Sequence, residues 1–127
     1  MTSVYVDSSF LLAIAFGEPS ATRLAERLDR FDNVYASDLV EAEVLSALAR
    51  EAVALPGADA FGSLNWTFPD RRLTEEFIRI LATGYLKGAD LWHVACALYL
   101  SPSPQDLSFL TLDARQKRVA AKLGFHV

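Results

Sequence analysis

Four acidic residues stand where a folded chain can bring carboxylates together. Asp7 and Asp113 each follow a run of β-forming residues, so each comes at the end of a predicted strand. Asp90 lies in the first turn of a predicted apolar helix, and Glu43 lies within a long predicted helix. Converging carboxylates repel one another unless a proton or a cation lies between them. Oxygen ligands favour Mg²⁺ or Mn²⁺ over zinc, and such a site can activate water to attack a phosphodiester.

Asp7 also has a simpler interpretation. Ser8 and Ser9 follow it, and an apolar stretch over residues 10–16 continues as a predicted buried helix. An aspartate at this place is a common N-cap, so capping alone would explain its position. A carboxylate between a buried strand and a buried helix is costly without a cationic partner, which favours a ligand role. The local pattern leaves both interpretations open.

The elements that must position these acids alternate along the chain. Strands are expected at residues 4–6, 34–36, 66–68 and 107–112, with a further edge strand at 125–127. Helices are expected at 10–16, 21–28, 39 to about 53, 74–82, 91–100 and 114–123. Strands separated by helices predict an α/β fold, with a central, mainly parallel sheet and helices on both faces. No linker or repeat divides the sequence, so one domain is expected over residues 1–127.

Composition sets outer limits on the class of protein. Apolar residues make up 52 % of the 127 residues and charged residues 22 %, as in a globular domain. No apolar run is long enough to cross a membrane, and no basic segment precedes the N-terminal apolar stretch as in a signal peptide. The lone Cys96 excludes an internal disulfide. These features predict a cytoplasmic protein without membrane attachment.

The net charge of −4 argues at first sight against a nucleic-acid partner, which usually needs a basic surface. Setting aside the four acids assigned to one site leaves a net charge of zero. A bound divalent cation would offset part of that site's charge. Net charge is therefore a weak objection to a nucleic-acid substrate.

Four segments resemble, in order, the signature segments of PIN-domain nucleases. They are VYVDSS at residues 4–9, SDLVEAEVL at 37–45, GADLWHVA at 88–95 and LTLD at 110–113. The third segment departs from the family pattern, because LWH follows its aspartate where smaller residues are common. Together the segments span nearly the whole chain, and the compact size is most similar to the VapC-type toxins of toxin–antitoxin pairs.

This resemblance implies a Mg²⁺- or Mn²⁺-dependent endoribonuclease that acts on RNA, is inhibited by a cognate antitoxin and is usually a homodimer. It implies that the metal site and the catalytic centre are formed by the same acids, with two hydroxyl residues as nearby polar support. The acids carried over from the family pattern are Asp7, Glu43, Asp90 and Asp113, and the supporting residues are Ser9 and Thr111.

The second segment offers two glutamates. Positions two apart point to roughly opposite sides of a helix. Helix geometry places Glu41 among apolar residues at the centre of the buried face and Glu43 at the margin of that face. A metal-site acid faces a cleft, so the margin suits Glu43, and the family spacing from Ser37 also selects it.

Three other functions are alternatives to a nuclease. A receiver-like signalling domain would have adjacent acids after the first strand and a lysine after a late strand. A phosphatase with an aspartate nucleophile would have a second acid where Ser9 stands. A PIN-like domain that binds without cleaving remains a further alternative.

The remaining polar and aromatic residues have simpler explanations. His93 and His126 have no evident partner in the sequence, and Cys96 lies among apolar residues as an inert core thiol. A basic group in the last helix is expected to be a solvated face rather than a phosphate contact: Arg115, Lys117, Arg118 and Lys122. An irregular aromatic segment is expected to contribute to a core or a protein interface: Phe61, Trp66 and Phe68.

Overall fold

A parallel four-stranded sheet forms the centre of the part of the chain that the structure describes. This structure is a computed structural model that describes residues 2–54 and 63–127. The strands lie in the order β3-β2-β1-β4, and every pairing between neighbours is parallel. Their bounds are Ser3–Val6 for β1, Asn33–Ser37 for β2, Asn65–Thr67 for β3 and Ser108–Leu110 for β4. The predicted α/β fold is confirmed.

Helices cover both faces of the sheet. Val4 and Val6 of β1 pack in one buried cluster with the helices before β3, and Tyr5 packs on the other face with the helices after β3. This alternation follows from the two-residue period of a strand. None of the helices in the described residues has the length and hydrophobicity to span a bilayer. The helices are α1 (Ser8–Ala15), α2 (Ala21–Asp29), α3 (Asp38–Arg50), α4 (Thr74–Thr83), α5 (Gly88–Leu100) and α6 (Ala114–Leu123).

The strand order reverses between β1 and β4. From β1 the chain moves outward on one side to β2 and then β3, and it returns through α4 and α5 to pair β4 with the opposite side of β1. Ligands of open α/β sheets bind beyond the carboxyl ends of the strands at such a reversal. The backbone N–H of Asp7 donates to the carbonyl of Leu110 at 3.3 Å, so the ends of β1 and β4 lie side by side there.

Several element ends differ from the predicted ones. α3 ends at Arg50 instead of about residue 53, and Ala52 just beyond it adopts a left-handed backbone with φ of 55°. β4 has three residues instead of six, because the chain leaves the ladder after Leu110. Instead of the edge strand expected at residues 125–127, a single β-bridge joins Ser108 and His126.

Candidate functional site

Asp7 is a buried carboxylate with hydrogen bonds to both of its oxygens. Only 3 % of the residue is exposed. Its Oδ1 accepts from the Ser9 hydroxyl at 2.7 Å and from the Phe10 N–H at 3.2 Å, and its Oδ2 accepts from the Thr111 hydroxyl at 2.6 Å. Asp7 therefore caps α1, as the simpler interpretation predicted. Burial raises the pKa of Asp7 above its ordinary value, although these hydrogen bonds oppose the rise.

The two predicted supporting residues connect Asp7 to the end of β4. Ser9 accepts a hydrogen bond from the N–H of Leu112 at 3.0 Å, and Thr111 accepts one from the N–H of Asp113 at 3.0 Å. The two hydroxyl oxygens lie 3.3 Å apart. These contacts join the carboxyl ends of β1 and β4 through side chains as well as through the backbone.

Asp113 has the same relation to α6 that Asp7 has to α1. It is the N-cap of α6, and its Oδ1 accepts from the N–H of Gln116 at 2.8 Å. Local sequence explains this, because an aspartate between a strand and an apolar-periodic helix satisfies N–H groups that have no partner within the helix. Two of the four predicted acids are therefore oriented by backbone groups at adjoining strand ends.

Asp90 is half-buried in the first turn of α5. Its carbonyl accepts from the side-chain amide of Gln116 at 3.2 Å, which ties the start of α5 to α6. Burial raises the pKa of Asp90, and the Asp113 and Glu43 carboxylates raise it further against the opposing effect of His93. Asp113 and Glu43 thus both lie within electrostatic reach of Asp90.

Glu43 lies against the side of α5 and pairs with His93. Its Oε1 is 2.6 Å from Nε2 of that histidine, whose ring is almost completely buried. Sequence reasoning gave His93 no partner. Its spacing of three residues after Asp90 was nevertheless a usable signal, since residues three apart share a helix face.

The predicted position of Glu41 is wrong. Glu41 is exposed, and the buried face of α3 is formed instead by Val40, Val44, Ala47 and Leu48. The helix is rotated about its axis relative to the prediction, because α1 and the sheet pack against this face. Glu43 does lie at the margin of the buried face, where it is half-exposed.

The four acids are not assembled into a ready-made cage. Among residues 2–54 and 63–127, no three His, Cys, Asp or Glu side chains form a group that could hold a metal ion. Mg²⁺, however, often binds through one or two carboxylates and keeps several waters. The carboxylate oxygens of these residues are suitable ligands for such a cation. The negative charges of Asp113 and Glu43 repel that of Asp90, and a bound positive charge would relieve this repulsion.

The other singled-out residues lie away from these acids or on the surface. His126 donates to the carbonyl of Gln105 at 2.8 Å beside β4. Cys96 is buried, and burial raises the pKa of its thiol to about 12, as expected for an inert core residue. All members of the basic group on α6 are exposed: Arg115, Lys117, Arg118 and Lys122.

The aromatic segment divides into parts with different surroundings. Trp66 is half-buried on β3 and packs against the core cluster beneath α1 and α3. Phe68 is 68 % exposed. Phe61 lies outside the described residues. The observed strand β3, Asn65–Thr67, begins and ends one residue before the strand predicted at residues 66–68.

A comparison with known families gives a match over most of the chain. The family model described as PIN domain matches residues 4–122, a range that includes all four predicted acids. No curated protein shows significant similarity to the chain.

Proposed function

The chain belongs to the PIN domain family, and from that premise we propose that it is a Mg²⁺- or Mn²⁺-dependent endoribonuclease. The observation that supports this most strongly is the placement of Asp7 and Asp113. Asp7 caps α1 directly after β1, and Asp113 caps α6 three residues after β4 ends, at the reversal of strand order where ligands of such sheets bind. Asp90 on α5 lies within electrostatic reach of Asp113 and of Glu43 on α3.

The proposed roles follow from how each side chain is held. Asp7 and Asp113 are oriented by backbone N–H groups, and together with Asp90 and Glu43 they would hold the cation through carboxylate oxygens. When bound, the cation would lower the pKa of a water and stabilise charge on the phosphodiester. Ser9 and Thr111 keep both Asp7 oxygens in place. Oδ1 already accepts two hydrogen bonds, whereas Oδ2 accepts one from Thr111, so Oδ2 has a second lone pair that remains for a cation.

We further propose that this nuclease is the toxin of a toxin–antitoxin pair, acts in the cytoplasm, and forms a homodimer. The proposal extends the resemblance of the four signature segments, in their order along the chain, to the VapC-type toxins. The exposed ring of Phe68 supports an interface at the aromatic segment, since exposed aromatics often anchor a partner. A direct check is induction of the gene in bacteria, where growth should stop and recover when the cognate antitoxin is co-expressed.

The nuclease proposal is tested with Asp7→Asn and a matched control. Asp38→Asn makes the same change at an exposed acid in the first turn of α3. Purified wild type should cleave RNA with Mn²⁺ or Mg²⁺, lose cleavage with a chelator, and regain it when metal is returned. Asp7→Asn should fold and give no cleavage, whereas Asp38→Asn should cleave like wild type.

Two outcomes would contradict this proposal. Full cleavage by folded Asp7→Asn would reject the site assignment. Absence of any metal-dependent cleavage by the wild type, across several RNA substrates, would favour a PIN-like domain that only binds. A receiver-like or phosphatase function is not favoured, because serines stand at positions 8 and 9, where those functions would have a second acid close to Asp7.

A further inference from the structure

His93 is a buried imidazole with a partner for each ring nitrogen. It lies in the middle of α5 and is 1 % exposed. Its Nε2 is 2.6 Å from Oε1 of Glu43, and its Nδ1 is 3.1 Å from the Ser37 hydroxyl and 3.5 Å from the Tyr5 hydroxyl. The ring therefore connects strands β1 and β2 to a glutamate on α3.

The partners assign the tautomer of His93. A carboxylate only accepts hydrogen bonds, so the nitrogen that faces Glu43 carries the proton. The Ser37 oxygen accepts from the N–H of Leu39 at 3.2 Å, which leaves its own proton free to be donated to Nδ1. A ring protonated on Nε2 donates to Glu43 and can accept the Ser37 proton at Nδ1.

The two sides of the ring differ in rigidity. Tyr5 and Ser37 are fully buried in β1 and β2, and they hold the Nδ1 side. The Glu43 side chain is 29 % exposed and has several rotatable bonds. Within the described residues, its only hydrogen bond or ion pair is the contact with His93. The buried hydroxyls thus hold one side of the ring, and the other side of the ring contacts the more exposed Glu43 carboxylate.

We infer that His93 is a positioning residue that holds the Glu43 carboxylate in the orientation in which it binds the divalent cation. The inference rests on the proposed function, in which Glu43 is a metal ligand. Oε1 is engaged by Nε2 of His93, which leaves Oε2 as the oxygen for the cation. Groups that orient metal ligands in this way typically change metal affinity about 10–100-fold when they are removed.

The test compares two amide substitutions at this position in the full chain. His93→Gln places an amide N–H about as far along the side chain as Nε2, so it can still donate to Glu43. His93→Asn carries the same amide but reaches only about as far as Nδ1. Calorimetric titration of the metal-free proteins with Mn²⁺ should give a Kd raised about 10-fold or more for His93→Asn. The Kd of His93→Gln should be close to that of wild type.

Two further measurements separate positioning from general stability. In a Glu43→Gln background, adding His93→Asn should weaken Mn²⁺ binding no further, because the residue through which it acts is already lost. In ¹⁵N-histidine spectra, Mg²⁺ should shift the Nε2 resonance of His93 in wild type and not in Glu43→Gln. His126, bound to a backbone carbonyl beside β4, is an internal control. This spectrum tests the inference even if His93→Asn does not fold.

The outcomes distinguish failure of the positioning role of His93 from failure of the proposed function. Three results would overturn the positioning role alone. The first is wild-type Mn²⁺ affinity in folded His93→Asn, and the second is an equal loss of Mn²⁺ affinity in the Asn and Gln variants. The third is a His93 resonance that does not shift with saturating Mg²⁺. A wild type that neither binds Mn²⁺ nor cleaves RNA would overturn the proposed function, and the positioning role with it.

Discussion

Replacing Thr111 with valine removes one hydroxyl beside Asp7 and keeps the shape of the side chain. That oxygen donates to Asp7 at 2.6 Å and accepts from the N–H of Asp113 at 3.0 Å. A hydrogen bond to a charged group contributes about 1.5–3 kcal/mol, and Thr111 is too buried for water to replace it easily. We expect the free energy of unfolding of metal-free protein to fall by about 2 kcal/mol at pH 7. For a domain of this size the midpoint should fall by about 8 °C.

The loss should depend on pH in a defined direction. Burial raises the pKa of Asp7 on folding, so the folded protein holds its proton up to a higher pH than the unfolded chain does. The resulting cost to stability is present above the folded pKa and disappears as the pH falls toward the ordinary value near 4. The Thr111 hydrogen bond lowers the pKa of Asp7, so removing it enlarges this cost. We expect the destabilisation by Thr111→Val to shrink as the pH falls from 7 to 4, because a protonated Asp7 gains less from the hydroxyl donor than a carboxylate does.

Urea unfolding at pH 7 and pH 4, with a chelator present, measures both values. Thr111→Ser is the matched control, because it keeps the hydroxyl and should retain most of the stability at pH 7. An equal loss for Thr111→Val at the two pH values would refute the reasoning about the Asp7 carboxylate. So would a Thr111→Ser variant that is as unstable at pH 7 as the valine variant.

Four further predictions test other parts of the structure. Glu43→Gln should weaken Mn²⁺-dependent cleavage, whereas exposed Glu41→Gln should match wild type in activity and stability; the reverse result would show that the wrong glutamate has been assigned. Trp66→Ala should lower the free energy of unfolding by about 2 kcal/mol in thermal or urea melts, because Trp66 packs against the core. Phe68→Ala should leave melting unchanged and weaken assembly by about 2 kcal/mol, as judged by mass in solution and antitoxin binding; unchanged assembly would reject the interface. Gln116→Leu should change stability by less than about 1 kcal/mol in urea, because it loses one bond to Asp90 but also removes a buried amide oxygen without a partner; a loss of several kcal/mol would contradict this balance.

Elements with strong local signals agree closely with their predictions. α6 begins after the cap Asp113 and ends before Gly124, whose φ of 113° is the left-handed conformation that favours glycine. The predicted strand over residues 4–6 matches β1 within one residue, because its Val and Tyr residues alternate between two buried faces. Caps, turn residues and periodicity are properties of short segments, so they can be read without knowledge of the fold.

Features that depend on packing between distant segments were predicted less well. The rotation of α3, which exposes Glu41, depends on how α1 and the sheet pack against the helix. The length of β4 depends on where its ladder with β1 ends. The contact between His93 and Glu43 joins residues 50 positions apart, so neither local segment contains it.

The same distinction divides the four acids. Asp7 and Asp113 have short side chains at helix N-caps, where backbone N–H groups determine their orientation, so local sequence both locates and orients them. Glu43 lies within a helix and has a longer side chain, so local sequence can place it on a face but cannot aim its carboxylate. A buried ring from another helix, held by hydroxyls on two strands, supplies that aim in the structure. A site built from N-cap aspartates and a helical glutamate therefore also needs a residue from a distant segment to orient the glutamate. His93 is that residue, and its substitution measures how much the site depends on it.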